Sequence, residues 1–210
     1  MAVLTPLSLS KKQLRDDLKA LKALLHDPNK PDLAEAQDIL PFFNGRPHLC
    51  AFIGTYNPNI VDYKKIRLAC EFDIFGDHVA DLAIGDMTNH EYCFVEFEDA
   101  NEKSIFNSTT KLTPEWSRRF EHGFSQLVDW ILWIENSKGT TAFVNRFNSP
   151  TIRYSMLLVI GREKHIINQG LKDRMNWRTD QVVVASKKVN CITFDKLYED
   201  LSLRVEILKG

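Results

Sequence analysis

The run Cys93-Phe94-Val95-Glu96-Phe97-Glu98-Asp99-Ala100 sets two carboxylates two positions apart among apolar neighbours. A strand sends successive side chains to opposite faces. Val95 and Phe97 then enter a core, and Glu96 and Glu98 stand with Phe94 on the other side. Parallel carboxylates repel, and burying them is costly unless a cation, a proton or a basic group sits between them. Such a face either lies in water or binds a metal. Asp81 adds a third carboxylate, set between Ala80 and Leu82 in a second apolar run, Val79–Ile84. If the two runs pair through the turn at Asp86–Glu91, Asp81 comes level with Glu96. Three acidic side chains on one sheet face suit a hard divalent cation, with positions left open for water and a substrate phosphate. Such an ion polarises a phosphoryl oxygen and supplies hydroxide for attack on a diester. The Glu-x-Glu spacing alone also describes a solvent-facing strand, and with Asp81 both readings stay open.

Those residues need elements to hold them. Ser10-Lys11-Lys12-Gln13 reads as a capping box opening a helix to about His26, with Leu14, Leu18, Leu21 and Leu25 on one stripe. Asp27-Pro28-Asn29-Lys30-Pro31 breaks it, and a second helix runs from Asp32, with Glu35 three residues on, until Pro41 stops it. From Ile66 the period becomes two: Ile66, Leu68, Cys70, Phe72 and Ile74 alternate with polar or small residues. Gly76-Asp77 turns this strand into Val79–Ile84, and Asp86–His90 turns that into the strand of Glu96, an antiparallel meander. After a polar loop, Asn101 to Lys111, Thr113-Pro114 opens a long helix ending near Asn136–Gly139. Tyr154–Ile160 is a nearly unbroken apolar run, expected of an internal strand covered on both faces. A helix around Lys164–Trp177, a strand Gln181–Ala185 and a last helix from Phe194 complete the chain.

Ala80-Asp81-Leu82, then Phe94–Ala100, then Glu121-His122-Gly123-Phe124-Ser125-Gln126-Leu127-Val128-Asp129-Trp130 resemble the Shedu immune-nuclease domain of the wider PD-(D/E)xK nuclease superfamily. The resemblance covers roughly residues 32 to 200. It implies an α/β fold with a restriction-endonuclease-like core (helix, three-stranded meander, helix, strand). Residues 1–31 then form an N-terminal helical segment, and residues 32–210 the nuclease domain. It further implies a Mg²⁺- or Mn²⁺-dependent nuclease acting on DNA in bacterial anti-phage defence, with homo-oligomers as a further expectation. By position, Asp81 matches the metal-ligating aspartate and Glu96 the acidic residue of (D/E)-x-K, also a metal ligand. The third slot departs from the superfamily, holding Glu98 where lysine is usual. A glutamate there can take the proton of the attacking water; the departure equally fits a fold kept for binding, with weak catalysis. Gln126 matches the family's helix glutamine, able to hydrogen-bond the attacking water or a phosphate. A plain surface glutamine is its alternative.

His122 lies one turn before Gln126, within reach of a scissile phosphate or merely exposed. Arg118 and Arg119 begin the same helix, and either neutralise DNA backbone phosphates or form a solvated face. Further basic groups are Lys64-Lys65-Arg67, Arg162-Lys164-His165 and Lys172-Arg174-Arg178. Trp130 and Trp133 fall at helical spacing and read as core or interface residues. Glu71 and Asp73 read as facing water. The formal net charge of −1 over 210 residues excludes a global pull toward nucleic acid, so any such binding rests on a local patch. Cys50, Cys70, Cys93 and Cys191 are scattered and read as buried free thiols. No long apolar segment or leader is visible, which points to a cytoplasmic protein without membrane contact. Outside catalysis, the same residues allow a nucleic-acid-binding or assembly module, or a scaffold whose acidic strand meets a partner.

Overall fold

The computed structural model describes residues 2–75, 77–107, 111 and 113–207. Among them, seven strands form one mixed sheet in the order β1-β2-β3-β4-β5-β7-β6, flanked by seven α-helices. The strands are β1 (Thr5–Leu7), β2 (Ile66–Phe75), β3 (His78–Asp86), β4 (Glu91–Phe97), β5 (Arg153–Val159), β6 (Val183–Val184) and β7 (Lys187–Ile192). The helices are α1 (Lys11–Leu25), α2 (Leu40–Asn44), α3 (Pro47–Ile53), α4 (Arg118–Ser137), α5 (Thr141–Phe147), α6 (Gln169–Gln181) and α7 (Phe194–Ile207). The fold is mixed α/β. No helix among the described residues is long and apolar enough to cross a membrane.

The centre of the sheet follows its apolar pattern. β2, β3 and β4 pair antiparallel in sequence order, Cys70 facing Leu82 and Leu82 facing Val95. β5 adds parallel to β4, and β7 parallel to β5. In β4 and β5 residue parity divides the core between two helical layers, while β2 changes layer between Leu68 and Phe72, across Glu71. Phe72, Ala83, Tyr92, Phe94, Met156 and Leu158 pack toward α4, α5 and α6. Ile66, Leu82, Cys93, Val95, Phe97 and Leu157 pack toward α1, α2, α3 and α7. Every residue of β4 is buried, so its acidic face is roofed by α4 and does not lie in open water. The leucine stripe of α1 is buried in the second layer, where Ser10 caps the helix by accepting from the Gln13 N–H. All four cysteines are free, Cys50, Cys93 and Cys191 buried and Cys70 half-buried.

Several expected boundaries are corrected. Pro41 does not end a helix: a π-turn at Glu35–Ile39 leads into α2, whose first turn holds the proline, where its missing N–H costs nothing. Thr113-Pro114 does not open the long helix. Ser117 caps α4, its Oγ accepting from the Phe120 N–H at 3.0 Å while donating to the Ser104 carbonyl. α3 and α5 are helices of seven residues each, too short for a clear period. The 164–177 helix starts later, at Gln169, because Asn168 supplies the cap to the Leu171 N–H. The strand expected at Gln181–Ala185 shrinks to Val183–Val184, and the pairing partner of β5 is β7, after a turn in which Ala185 and Ser186 both take positive φ. The turn residue Gly76 and part of the 101–111 loop lie outside the described residues.

Candidate active site

Asp81 sits on β3 just past the last pair with β4, Leu82 opposite Val95, which places it level with Glu96. Its Oδ2 accepts from the Phe97 N–H at 2.7 Å, so the aspartate itself continues the strand pairing. On the other flank, β2 pairs at Cys70–Leu82 and at Phe72–Ala80 with no pair between. Glu71 occupies that gap with φ 50°, a left-handed conformation a glutamate rarely adopts. Glu71 is exposed, as expected, and Asp73 is ion-paired to Arg146 at 3.0 Å.

Glu96 and Glu98 lie on the α4 side of β4 at 6% and 1% exposure. The Glu98 N–H donates to the Val159 carbonyl at 3.0 Å, prolonging the β4–β5 pairing by one step and fixing where its side chain leaves the sheet. Gly123 lets α4 come down on that side chain. A Cβ at Gly123 would lie 3.1 Å from Glu98 Oε1 and 2.8 Å from Leu158 Cδ1. Three residues further along α4, Gln126 stands half-buried beside Glu96, and a hydrogen bond from its amide favours the charged carboxylate. Its Oε1 is buried without a partner.

Arg119 is exposed, yet three carboxylates hold it. One guanidinium nitrogen lies 3.1 Å from Glu98 Oε2 and 3.2 Å from Glu35 Oε2, and the other 3.1 Å from Asp99 Oδ2. The Glu35 N–H donates to Asp99 Oδ1 at 2.8 Å, tying the π-turn to the end of β4. Arg118 is exposed at the first position of α4. His122 is exposed too, near Glu35, whose carboxyl is pushed up by burial against the pull of Arg119 and His122. Of the tryptophans on this helix, Trp130 is core and Trp133 is 43% exposed against His78. Three other basic residues are committed: Arg162 to Asp195, Lys172 to Glu163, Arg178 to Glu121.

One guanidinium is therefore shared by Glu35, Glu98 and Asp99, beside Asp81 and Glu96, and the carboxyl groups respond. Burial pushes Asp81 up to about 7, against the Phe97 N–H that favours its charge and with the repulsion of Glu35 and Glu71. Burial, then repulsion from Asp81, Glu98 and Glu35, pushes Glu96 up to about 10. Glu98 rises to about 8 through burial, held back by Arg119. Without added positive charge, Glu96 and Glu98 keep protons at neutral pH and Asp81 titrates there. Their hard oxygen donors, with Glu96 Oε2 buried and lacking any hydrogen-bond partner, fit a divalent cation. The expected convergence of three carboxylates is only partly met. Asp81 and Glu96 meet at the β3–β4 level, but Glu98 leans on Arg119. Among the described residues no three His, Cys, Asp or Glu side chains are gathered as a ready ligand set.

The family model described as Shedu protein SduA, C-terminal, matches residues 32–198. The chain belongs to this Shedu family. No curated protein matches it. The Shedu match begins after α1, ends within α7, and contains every residue of the acidic site.

Two residues of the acidic site have no role in the reading from sequence. Glu35 lies about fifty residues before Asp81 and reads in the sequence only as a helix-start signal; its place beside Arg119 is made by the π-turn. Gly123 has a visible trace, a glycine inside an amphipathic helix, where it is tolerated for a packing reason.

Proposed function

We propose that this Shedu-family protein is a metal-dependent DNA nuclease that hydrolyses phosphodiester bonds in bacterial anti-phage defence. The observation that carries the reading is the undercompensated group of half-buried Asp81 with buried Glu96 and Glu98, beside Gln126. The order α3, the β2–β4 meander, α4, β5 supports a restriction-endonuclease-like core of the PD-(D/E)xK superfamily. Asp81 and Glu96 would hold Mg²⁺ or Mn²⁺, which supplies Lewis-acid polarisation of the phosphoryl oxygen and a water of lowered pKa.

Glu98 takes the proton of the attacking water. Its raised pKa suits a base working near neutrality, and Arg119 holds it in place. Gln126 orients the water or a phosphate oxygen through its unpartnered Oε1 and its amide N–H groups. Arg118 and His122, exposed at the start of α4, meet the DNA backbone, with Arg119 beside them held by Glu35, Glu98 and Asp99. Self-association would use a surface other than the leucine stripe of α1, which the chain buries itself. The protein works in the cytoplasm, where the DNA of an invading phage is found.

A second reading keeps the fold and drops the catalysis, leaving a nucleic-acid-binding or protein-binding module. The Glu98–Arg119 ion pair, in the slot where the superfamily has lysine, favours it. Cleavage of linear and circular DNA with Mg²⁺ or Mn²⁺, beside binding in EDTA, separates the two. The nuclease reading expects cleavage that Glu96→Ala abolishes. Binding in EDTA with no cleavage in either metal supports the module instead.

A further inference from the structure

Arg174 and Arg178 have no part in the acidic site, yet they line a pocket on α6. Phe106 and Trp116 form an isolated antiparallel bridge and stack at 4.7 Å, and Trp116 stacks on Phe120 of α4 at 4.3 Å. α6 lies against this ladder of rings. The Arg174 guanidinium stands 5.1 Å from the Phe106 and Trp116 ring centres, and that of Arg178 4.2 Å from Phe124. Between them opens a cavity of about 270 Å³ lined by Trp116, Arg174, Trp177 and Arg178.

Ordinary helix packing does not account for its lining. Trp177 is 62% exposed, a large aromatic surface left in water. Arg174 donates one hydrogen bond to the Pro114 carbonyl at 2.6 Å and pairs with no carboxylate among the described residues. Arg178 reaches Glu121 at 2.8 Å, but its Nε is buried with no partner. By contrast, a larger cavity of about 360 Å³ between α6, β7 and α7 has its two lysines already answered, Lys172 by Glu163 and Lys196 by Asp200. Pockets for drug-sized ligands run from about 300 to 1,000 Å³, so the smaller one suits a single flat ring beside an anion.

We propose that this cavity seats one unstacked base of a single-stranded nucleic acid against the exposed ring of Trp177, with its phosphate against Arg174; Trp116, covered on its two faces by Phe106 and Phe120, and Arg178 form the wall. Aromatic and guanidinium faces hold bases regardless of sequence, each stack being worth about 5- to 150-fold in affinity. Position links the seat to the carboxylates. Glu121, the partner of Arg178, lies two residues before Gly123, which is packed on Glu98. A strand leaving the seat passes exposed Arg118 on its way along the same helix. The substrate class is then DNA with an unpaired stretch or end, read by ring stacking and charge without base-edge contacts. This extension rests on the nuclease reading for where the strand leads; the seat itself does not.

The test is fluorescence anisotropy of a short fluorescein-labelled oligothymidylate in EDTA, beside a duplex capped by hairpins at both ends. Trp177→Ala, an exposed position whose fold is checked by circular dichroism, weakens the single strand about 5- to 150-fold, and Trp177→Phe restores most of the loss. The capped duplex is unaffected by either change. Wild-type affinity in Trp177→Ala, equal loss for strand and duplex, or no strand binding by the wild type overturns the seat. Because metal is absent, the outcome is separate from catalysis. A seat that binds in a protein that never cleaves removes only the nuclease reading, and Glu96-dependent cleavage with no effect of Trp177→Ala removes only the seat.

Discussion

Glu96→Gln should stabilise the metal-free protein at neutral pH, although it alters a buried residue. The glutamine keeps the shape and removes the charge that burial, Asp81 and Glu98 all oppose. The folded-state pKa of Glu96, about 10, lies above its ordinary value of 4.5. Such a group adds stability that is complete below about pH 4.5 and is lost as pH climbs toward 10. At pH 7.5 about three pH units separate buffer and ordinary value, each worth about 1.4 kcal/mol, for a ceiling of about 4 kcal/mol. Water entry and side-chain relaxation lower this, and a gain of about 1–3 kcal/mol is expected. For a chain of this size that raises the melting temperature by roughly 2–10 °C. At pH 5 the gain falls below about 1 kcal/mol, because the buffer then lies only about half a pH unit above the ordinary value of 4.5. Mg²⁺ should reverse the ranking. At a hundredfold excess over its Kd it stabilises the wild type by about 2.7 kcal/mol and the variant far less. Differential scanning fluorimetry in EDTA and in Mg²⁺, at both pH values, reads all four conditions. A variant destabilised equally at pH 5 and pH 7.5 in EDTA would falsify the reasoning, since Glu96 would then be ionised and satisfied within the fold.

Other expectations follow from the same contacts. Cleavage should rise with pH through about 8 as Glu98 loses its proton, and Arg119→Ala, by removing the charge that restrains Glu98, should move that limb upward while slowing cleavage roughly 10- to 100-fold; a pH–rate profile in which the limb stays put argues against Glu98 as base. Gly123→Ala pushes a methyl against Glu98 and Leu158 and should cost about 1–3 kcal/mol in urea unfolding, with weaker cleavage; an unchanged midpoint and rate would show that α4 can lift off the sheet freely. Arg162 is 4% exposed, ion-paired to Asp195 and donating to the Leu25 carbonyl, so Arg162→Ala should lose about 3–5 kcal/mol by urea unfolding, and a loss under about 1 kcal/mol would deny it the role of pinning α1 to α7.

What the sequence makes legible is what period and punctuation control. The alternation from Ile66 to Ile74, the turn at Asp86–His90 and the apolar run at Tyr154–Ile160 each correspond to a strand in the expected place. The same parity puts Glu96 and Glu98 on one face and Asp81 level with Glu96. Elements of seven residues, such as α3 and α5, show too few turns for a period to emerge. Pro41 and Pro114 mislead in opposite senses: the first opens a helix where a stop is expected, and the second precedes by three residues the cap at Ser117. Long-range charge is the least legible part. Nothing near Arg119 in sequence announces that it will be shared by Glu35, Glu98 and Asp99, and a basic pair at a helix start reads naturally as a phosphate contact. Burial of the acidic face follows only once α4 is laid across β4, which Gly123 allows.

Anomalous diffraction from a crystal soaked in Mn²⁺ tests the central claim most directly. A peak bonded to carboxylate oxygens of both Asp81 and Glu96, absent in Glu96→Ala crystals, is the predicted result. A map with no peak between those two side chains at saturating Mn²⁺ contradicts the account.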